Sequence, residues 1–268
     1  MQKSLCTVTH RLKSTLKKCF TSLDLTKDEI KGKSSQGEKY KSINELWQNQ
    51  VGISRTNWYE KGKNYWEAQE STLDGVLGGF SEIHQADISA SNKFIKSLKS
   101  KNYIIGSRAL DCGSGIGRIT KNLLLNHFAH VDLVDQSEKF IEDAKHYIND
   151  NKVENYFVKG LQDFSPQKEL YDCIWIQWIL AYIIDEDLVA ALKRIKAGLV
   201  PNGVLCIKEN VLDEGFIYHN EDFSVTRSDK LFKIIIKKAG LKIIHEETQK
   251  DFPSEYFKVK MYGCIPKV

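Results

Sequence analysis

Apolar and polar positions along the chain fall into two alternating patterns. Short, nearly unbroken apolar runs occur at 108–112, 130–135, 155–159, 172–177, 203–208, 240–246 and 257–264. Runs of this length without polar alternation are those of strands covered on both faces. Between them, apolar residues return at helical spacing over 117–127, 137–149, 186–199 and 228–239. Upstream, an aromatic helix is predicted at 58–66, and another at 87–98, where Ile88, Phe94, Ile95 and Leu98 share a face. Strand–helix alternation implies a parallel sheet with helices on both sides. The last two strands are joined too closely for a crossover and pair antiparallel. The predicted fold is α/β: a doubly wound, mostly parallel seven-stranded sheet ending in an antiparallel hairpin.

The first fifty residues break this pattern. Lys3, Arg11, Lys13, Lys17 and Lys18 lie among Ser and Thr, and no acid precedes Asp24. That composition resembles an organelle transit peptide, but its apolar face is thin, which favours a solvated basic arm. Residues 31–41 are polar and carry Gly, Ser and Gln, the composition of a linker. The expected division is a basic, flexible extension over 1–50 and one catalytic domain over 51–268, opened by covering helices. Apolar residues make up 41% of the chain and charged ones 28%, as in water-soluble globular proteins. No apolar run approaches the roughly 18 residues that span a bilayer, so no membrane partner is expected. A net charge of +4 is too small to imply nucleic-acid binding. Cys6, Cys19, Cys112, Cys173, Cys206 and Cys264 form no C-x-x-C pair, and three of them fall in or beside predicted core strands. Reduced thiols, no metal, and a cytoplasmic or nuclear setting follow.

Ala109-Leu110-Asp111-Cys112-Gly113-Ser114-Gly115-Ile116-Gly117-Arg118 carries the first chemical signal. A strand runs into alternating glycines and then a helix, so the backbone can turn tightly and approach a ligand. The next strand ends on Asp135, where a carboxylate accepts hydrogen bonds from ribose hydroxyls. Dinucleotide sites use G-x-G-x-x-G and offer the helix N-terminus to a pyrophosphate. Here the spacing is G-x-G-x-G, opened by Asp111, and an acid beside a pyrophosphate is unfavourable. Two acids suit a ribose diol and a positive or neutral head, which describes S-adenosylmethionine and excludes NAD. A second signal is Trp175-Ile176-Gln177-Trp178. Gln177, polar at the end of an apolar strand, is within reach of a cofactor. Trp175 reads as core packing, and Trp178 as an indole face offered to an acceptor.

Taken together, these segments resemble the α-N-terminal protein methyltransferases, which methylate free N-termini reading Xaa-Pro-Lys or Xaa-Pro-Arg. The resemblance runs from about Tyr59 to the C-terminus. It rests on Asp74-Gly75-Val76-Leu77-Gly78-Gly79, the glycine segment continued to Lys121, Gly160-Leu161-Gln162-Asp163-Phe164, Ile174-Trp175-Ile176-Gln177-Trp178, and Pro201-Asn202-Gly203 leading to Ile207-Lys208-Glu209-Asn210. It implies the class I S-adenosylmethionine-dependent methyltransferase fold. Gly113, Arg118, Asp135, Leu161, Gln162 and Gln177 are then expected to bind S-adenosylmethionine, with Gln136 and Ser137 beside Asp135. Trp178 is expected to stack on the substrate proline and Asn210 to hold its amine, with Asp222 as the catalytic aspartate. Trp66, Leu77 and Ile83 line or cover the peptide channel, joined by Glu221 and Ser224.

Three positions depart from the family pattern. Tyr182 stands where the family carries a catalytic histidine, and His219 where an acid helps to bind the third-position lysine. Phe257 replaces a tyrosine beside the peptide. An α-amine has a pKa of roughly 7.7–8.0, so removing its proton near neutrality takes only a modest base. Asp222 meets that need, Asn210 fixes the nitrogen, and Tyr182 orients the amine or a water. His219 is a candidate substitute for that histidine and a candidate substrate-binding residue, set against the plainer reading of a surface loop residue, while Asp185, Glu186 and Asp187 read as a helix start, where acids favour the dipole. Glu221 and Asp222 remain for a cationic substrate. The competing readings are a small-molecule methyltransferase on the same fold and a weakly active cofactor-binding partner protein.

Overall fold

In the computed structural model, which describes residues 30–52 and 54–267, the chain opens with two short strands, β1 (Gly32–Ser34) and β2 (Lys39–Tyr40). Four helices follow: α1 (Ile43–Gln50), α2 (Arg55–Glu67), the single turn α3 (Leu73–Val76) and α4 (His84–Ser100). Next come β3 (Arg108–Cys112), α5 (Arg118–Asn122), β4 (His130–Asp135), α6 (Glu138–Ile148) and β5 (Val153–Val158). The second half runs β6 (Tyr171–Gln177), α7 (Asp185–Lys196), β7 (Leu199–Leu212), β8 (Phe216–His219), β9 (Ser224–Ser228) and α8 (Asp229–Lys238). It closes with β10 (Leu241–Thr248) and β11 (Lys258–Pro266).

The predicted seven-stranded core is present. Strands β5, β4, β3, β6 and β7 pair in parallel in that order. Antiparallel β11 pairs with β7, and β10 with β11. Four strands more than predicted extend the sheet beyond β7. Val211 and Leu212 pair in parallel with β9, β9 with β8 antiparallel, β8 with β1 in parallel, and β1 with β2 antiparallel. These strands are two to five residues long, too short to register as apolar runs.

Alternation along each strand divides the core between the two faces. On β6, Cys173 and Trp175 join Phe94, Ile95 and Met261 on the α4 face. Ile174 and Ile176 join Leu188, Leu192, Leu231 and Phe232 of α7 and α8 on the other. Trp175 is fully buried, with its ring edge-to-face against Phe94 at 6.4 Å, as expected of core packing. The helix predicted at 117–127 is broken: α5 ends at Asn122 and a 3-10 turn covers Leu124–Asn126.

The boundary expected at residue 50 is overturned for residues 30–50. They are neither linker nor flexible extension, because they complete the sheet edge and the core. Tyr40, Ile43, Leu46 and Trp47 are all buried. The Trp47 ring meets Trp58 edge-on at 5.2 Å, and Tyr40 packs on Phe216. Ser42 caps α1 by accepting the Glu45 N–H. The basic stretch 1–21, with Cys6 and Cys19, lies outside the described residues.

Candidate functional site

At the carboxyl ends of the parallel strands, where such sheets bind ligands, lies a cleft of about 720 Å³. Its floor is the turn after β3. Gly113, Gly115 and Gly117 have φ of 70°, 53° and 80°, the left-handed region that favours glycine. A Cβ on Gly113 would meet the Ile179 side chain at 2.5 Å. Asp135, at the end of β4, faces this turn and accepts the N–H of Gly115 and of Ser137, each at 2.9 Å. Burial raises the Asp135 pKa, and those backbone donors pull the other way. Asp111 has a different task from the one its sequence position implies. It is buried, its pKa is pushed up to about 6 by desolvation, and Oδ2 accepts both the N–H and the hydroxyl of Thr120. It therefore anchors α5 beneath the turn.

Leu161, Gln162 and Gln136 line the cleft, with Gly160 beside them. Arg118 lines it too, its guanidinium 5.5 Å from the Trp178 ring and its Nη1 donating to Asp87 at 2.7 Å. Two cofactor expectations need correction. Ser137 is fully buried: its hydroxyl accepts the Phe140 N–H as the cap of α6. It positions Asp135 and is absent from the cleft wall. Gln177 reaches the cleft, but its amide is committed inward, with Nε2 on both Asp87 oxygens and Oε1 accepting the Trp175 indole N–H.

Trp178 follows with φ of 53°, a strained conformation for a large side chain. Its indole N–H is buried without a partner among the described residues. Around it the cleft wall holds Asn210, Tyr182, Asp222, Ser224, His219 and Glu221, with Leu77, Ile83, Trp66 and Phe257 completing the channel. Asn210 makes no side-chain hydrogen bond among the described residues, which leaves its amide open to the cleft. The Asp222 carboxylate is held by donors: Tyr182 OH at 2.9 Å, Ser224 N–H at 3.1 Å and Ser224 Oγ at 2.8 Å. Ser224, expected to bind substrate, thus uses its hydroxyl on Asp222. Desolvation, with Asp222 alongside, drives the Tyr182 pKa well above the tyrosine range, so this phenol stays protonated and donates. Trp66 meets the Tyr182 ring edge-on at 5.9 Å.

His219 is not a solvated loop residue. It ends β8, bonds Thr226 Oγ1 at 2.9 Å and packs edge-on against Phe257. Burial lowers its pKa, outweighing the raising effect of Asp222 and Glu221, so its imidazole is neutral at neutral pH. Asp185, Glu186 and Asp187 do begin α7 and stay out of the cleft wall. Asp185 also pairs with Arg227, while Glu186 and Asp187 bind Arg55.

Several supporting groups carried no local sequence signal. Arg227, fully buried, donates to Asp185 Oδ1 and to the carbonyls of Leu180 and Ile183. It thereby clamps the turn that presents Tyr182, whose own carbonyl accepts the Trp58 indole N–H. Glu209 lines the cleft with its pKa pushed up to about 7 by burial, and accepts the Leu180 N–H at 2.6 Å. Ser35, from the turn after β1, reaches the cleft and bonds Asn220.

The glycine-turn end fits S-adenosylmethionine. It offers a backbone cradle that a Cβ would close, a carboxylate for a diol and a guanidinium for a carboxylate. The Ser114 hydroxyl is buried there without a partner among the described residues, as expected of a group facing a polar ligand. Comparisons with known proteins agree. Residues 54–265 match the family described as AdoMet-dependent proline di-methyltransferase. The chain is 39% identical over 250 residues to alpha N-terminal protein methyltransferase 1 of Arabidopsis thaliana, covering 88% of this chain and 91% of that one. It is 44% identical over 208 residues to N-terminal Xaa-Pro-Lys N-methyltransferase 1-B of Xenopus laevis, covering 76% and 93%. A solved SAM-dependent methyltransferase of Leishmania major aligns with a TM-score of 0.85 and 35% identity, over 89% of this chain and 97% of that one. The chain therefore belongs to the AdoMet-dependent proline di-methyltransferase family, enzymes that draw their methyl group from S-adenosylmethionine.

Proposed function

We propose that this enzyme methylates the α-amine of proteins whose N-terminus reads Xaa-Pro-Lys or Xaa-Pro-Arg; the name of the Xenopus relative states N-terminal Xaa-Pro-Lys N-methylation for that protein. The observation that carries the reading is the Asp222 carboxylate, held by Tyr182 and Ser224 on the wall shared with Asn210 and Trp178. S-adenosylmethionine supplies a methyl group on a positively charged sulfur, an activated donor. Gly113, Asp135, Leu161, Gln162 and Arg118 would hold it. The remaining task falls to the chain: to deliver an amine that is neutral and pointed correctly. Asp222 takes the amine proton, directly or through water, and the Asn210 side-chain oxygen accepts a hydrogen bond that fixes the nitrogen. Tyr182 keeps Asp222 in place and cannot itself act as a base. The Trp178 indole offers the flat apolar face that a proline ring covers without ordering further rotamers. Glu221 and Asp222 attract the cation at position three.

Free thiols at Cys112, Cys173, Cys206 and Cys264 support a reducing setting, cytoplasm or nucleus. No helix among the described residues is long and apolar enough to cross a membrane. The test is steady-state kinetics on peptides varied at positions one, two and three. Replacing proline by a charged residue, or lysine by glutamate, is expected to cost more than exchanging small first residues. Equal efficiency on peptides lacking both proline and the cation would overturn the reading in favour of a small-molecule acceptor.

A further inference from the structure

Arg118 belongs to an ionic cluster whose other members, Asp87 and Lys208, lie behind the cleft wall and have no part in the reaction scheme. Arg118 Nη1 lies 2.7 Å from Asp87 Oδ2. An arginine paired so closely with a buried carboxylate would be neutralised from behind and would attract an anion in front of it only weakly. A second cation alters that balance. Lys208 Nζ lies 2.5 Å from Asp87 Oδ1 and completes its bonding with Ser91 Oγ at 2.9 Å, Gln249 Oε1 at 2.7 Å and the Asp87 carbonyl at 3.2 Å. Lys208 is fully buried and takes no part in the cleft lining. Gln177 adds only neutral amide donors to Asp87. Among the described residues no other carboxylate pairs with either cation. The two cations thus share Asp87 as their ion-pair partner, with Asp111 acting on Arg118 as a further negative charge outside any ion pair, and Arg118 is the member that reaches the cleft. Burying an ammonium is costly and an apolar side chain is often the more stable occupant, so a lysine here calls for a role.

We propose that Lys208 is a positioning residue that neutralises Asp87, so that Asp87 holds Arg118 in place without cancelling the charge Arg118 presents to the carboxylate of the methyl donor. The proposal rests on S-adenosylmethionine occupying the glycine-turn end of the cleft. It makes selectivity for a carboxylate-bearing nucleoside a property of a residue that touches no ligand.

Calorimetric titration of the full-length protein with two ligands tests this. S-adenosylhomocysteine carries the carboxylate; 5′-methylthioadenosine shares the nucleoside and thioether but lacks it. Lys208→Met is expected to weaken S-adenosylhomocysteine binding by about tenfold to a hundredfold, the span of one charge-assisted contact, and to leave 5′-methylthioadenosine unaffected. Asp87→Asn combined with Lys208→Met removes both charges, restores an uncancelled Arg118 and is expected to recover most of the loss. Equal losses for both ligands would mark Lys208 as a packing residue and overturn the proposal, as would a double variant no better than the single one. If Lys208→Met alone does not fold, the double variant decides: retained discrimination between the ligands supports the proposal, and lost discrimination overturns it. Failure of the unaltered protein to bind S-adenosylhomocysteine would instead overturn the donor placement on which the proposal stands.

Discussion

Replacing Asp222 by asparagine changes one carboxylate oxygen into an amide nitrogen at nearly constant volume. In the native site both oxygens face donors: Tyr182 OH at 2.9 Å and Ser224 Oγ at 3.0 Å on Oδ2, Ser224 N–H at 3.1 Å on Oδ1. An amide can keep the Ser224 N–H on its oxygen and turn its NH₂ toward the Tyr182 and Ser224 hydroxyls, which then accept instead of donating. The variant therefore keeps its own orientation and loses the base, together with the anion that holds the amine. General-base removal costs roughly 10²–10⁴-fold in rate. The solution cost of a neutral amine is smaller: with a pKa of roughly 7.7–8.0, deprotonation at pH 7 takes about 1–1.4 kcal/mol, tenfold at most. The loss at pH 7 thus divides into a proton term that alkali can replace and a positioning term that it cannot. In steady-state assays by mass spectrometry, kcat for Asp222→Asn is expected to fall by about 10²–10⁴ at pH 7. About tenfold of that should return near pH 9, where the free amine is neutral without help. Cofactor affinity, measured separately by calorimetry, should hold. An unaltered kcat at pH 7, or a loss located wholly in cofactor binding, would refute the assignment.

Tyr182→Phe removes one of the donors on Asp222 while Ser224 remains, so kcat should fall by about tenfold, the lower end for a hydrogen bond to a charged group; unchanged turnover would reduce Tyr182 to packing. Glu209, with its pKa raised from 4.5 to about 7 by burial, keeps its proton longer when folded than when unfolded. Its contribution to stability therefore falls as pH rises from about 4.5 to about 7, and the penalty is complete above that window. Glu209→Gln should thus be more stable than the native protein at pH 8, by up to about 3 kcal/mol, and no different at pH 4; equal denaturant midpoints at both pH values would contradict this. Deleting residues 1–29 should leave peptide methylation intact, whereas deleting 1–50 removes buried Tyr40, Ile43, Leu46 and Trp47. At about 1.5–3 kcal/mol per buried side chain, that loss rivals the roughly 5–15 kcal/mol stability of a whole domain. Thermal melts that coincide for the two truncations would show that the N-terminal segment does not belong to the core.

The parts of the fold legible in the sequence are those whose physics is local or periodic. Buried parallel strands appear as apolar runs, so β3 and β4 were readable to the residue, and Gly113, Gly115 and Gly117 announced backbone with positive φ. The contrast between Trp175 and Trp178 was readable from their places along one strand and just past its end. Groups that meet only through tertiary structure were not readable. Asp87 and Lys208 are 121 residues apart, and neither position looks unusual without the other. Arg227 is likewise an ordinary strand residue until the 180–183 turn folds over it. Strands β1 and β2 were hidden because their hairpin is polar on its open side and buries only Ser34 and Tyr40. Ser137 was misassigned because a helix cap and a cofactor ligand follow a strand-end aspartate at the same spacing.

The most direct test of the central claim compares one Xaa-Pro-Lys peptide in two forms, with a free N-terminus and with that N-terminus acetylated, each incubated with the enzyme and S-adenosylmethionine and followed by fragmentation mass spectrometry. Successive methyl increments are expected on the first residue of the free peptide and none on the acetylated one, whose nitrogen has no lone pair available for attack. Methylation of the acetylated peptide at its lysine, or of neither peptide by a folded, cofactor-binding enzyme, would contradict it.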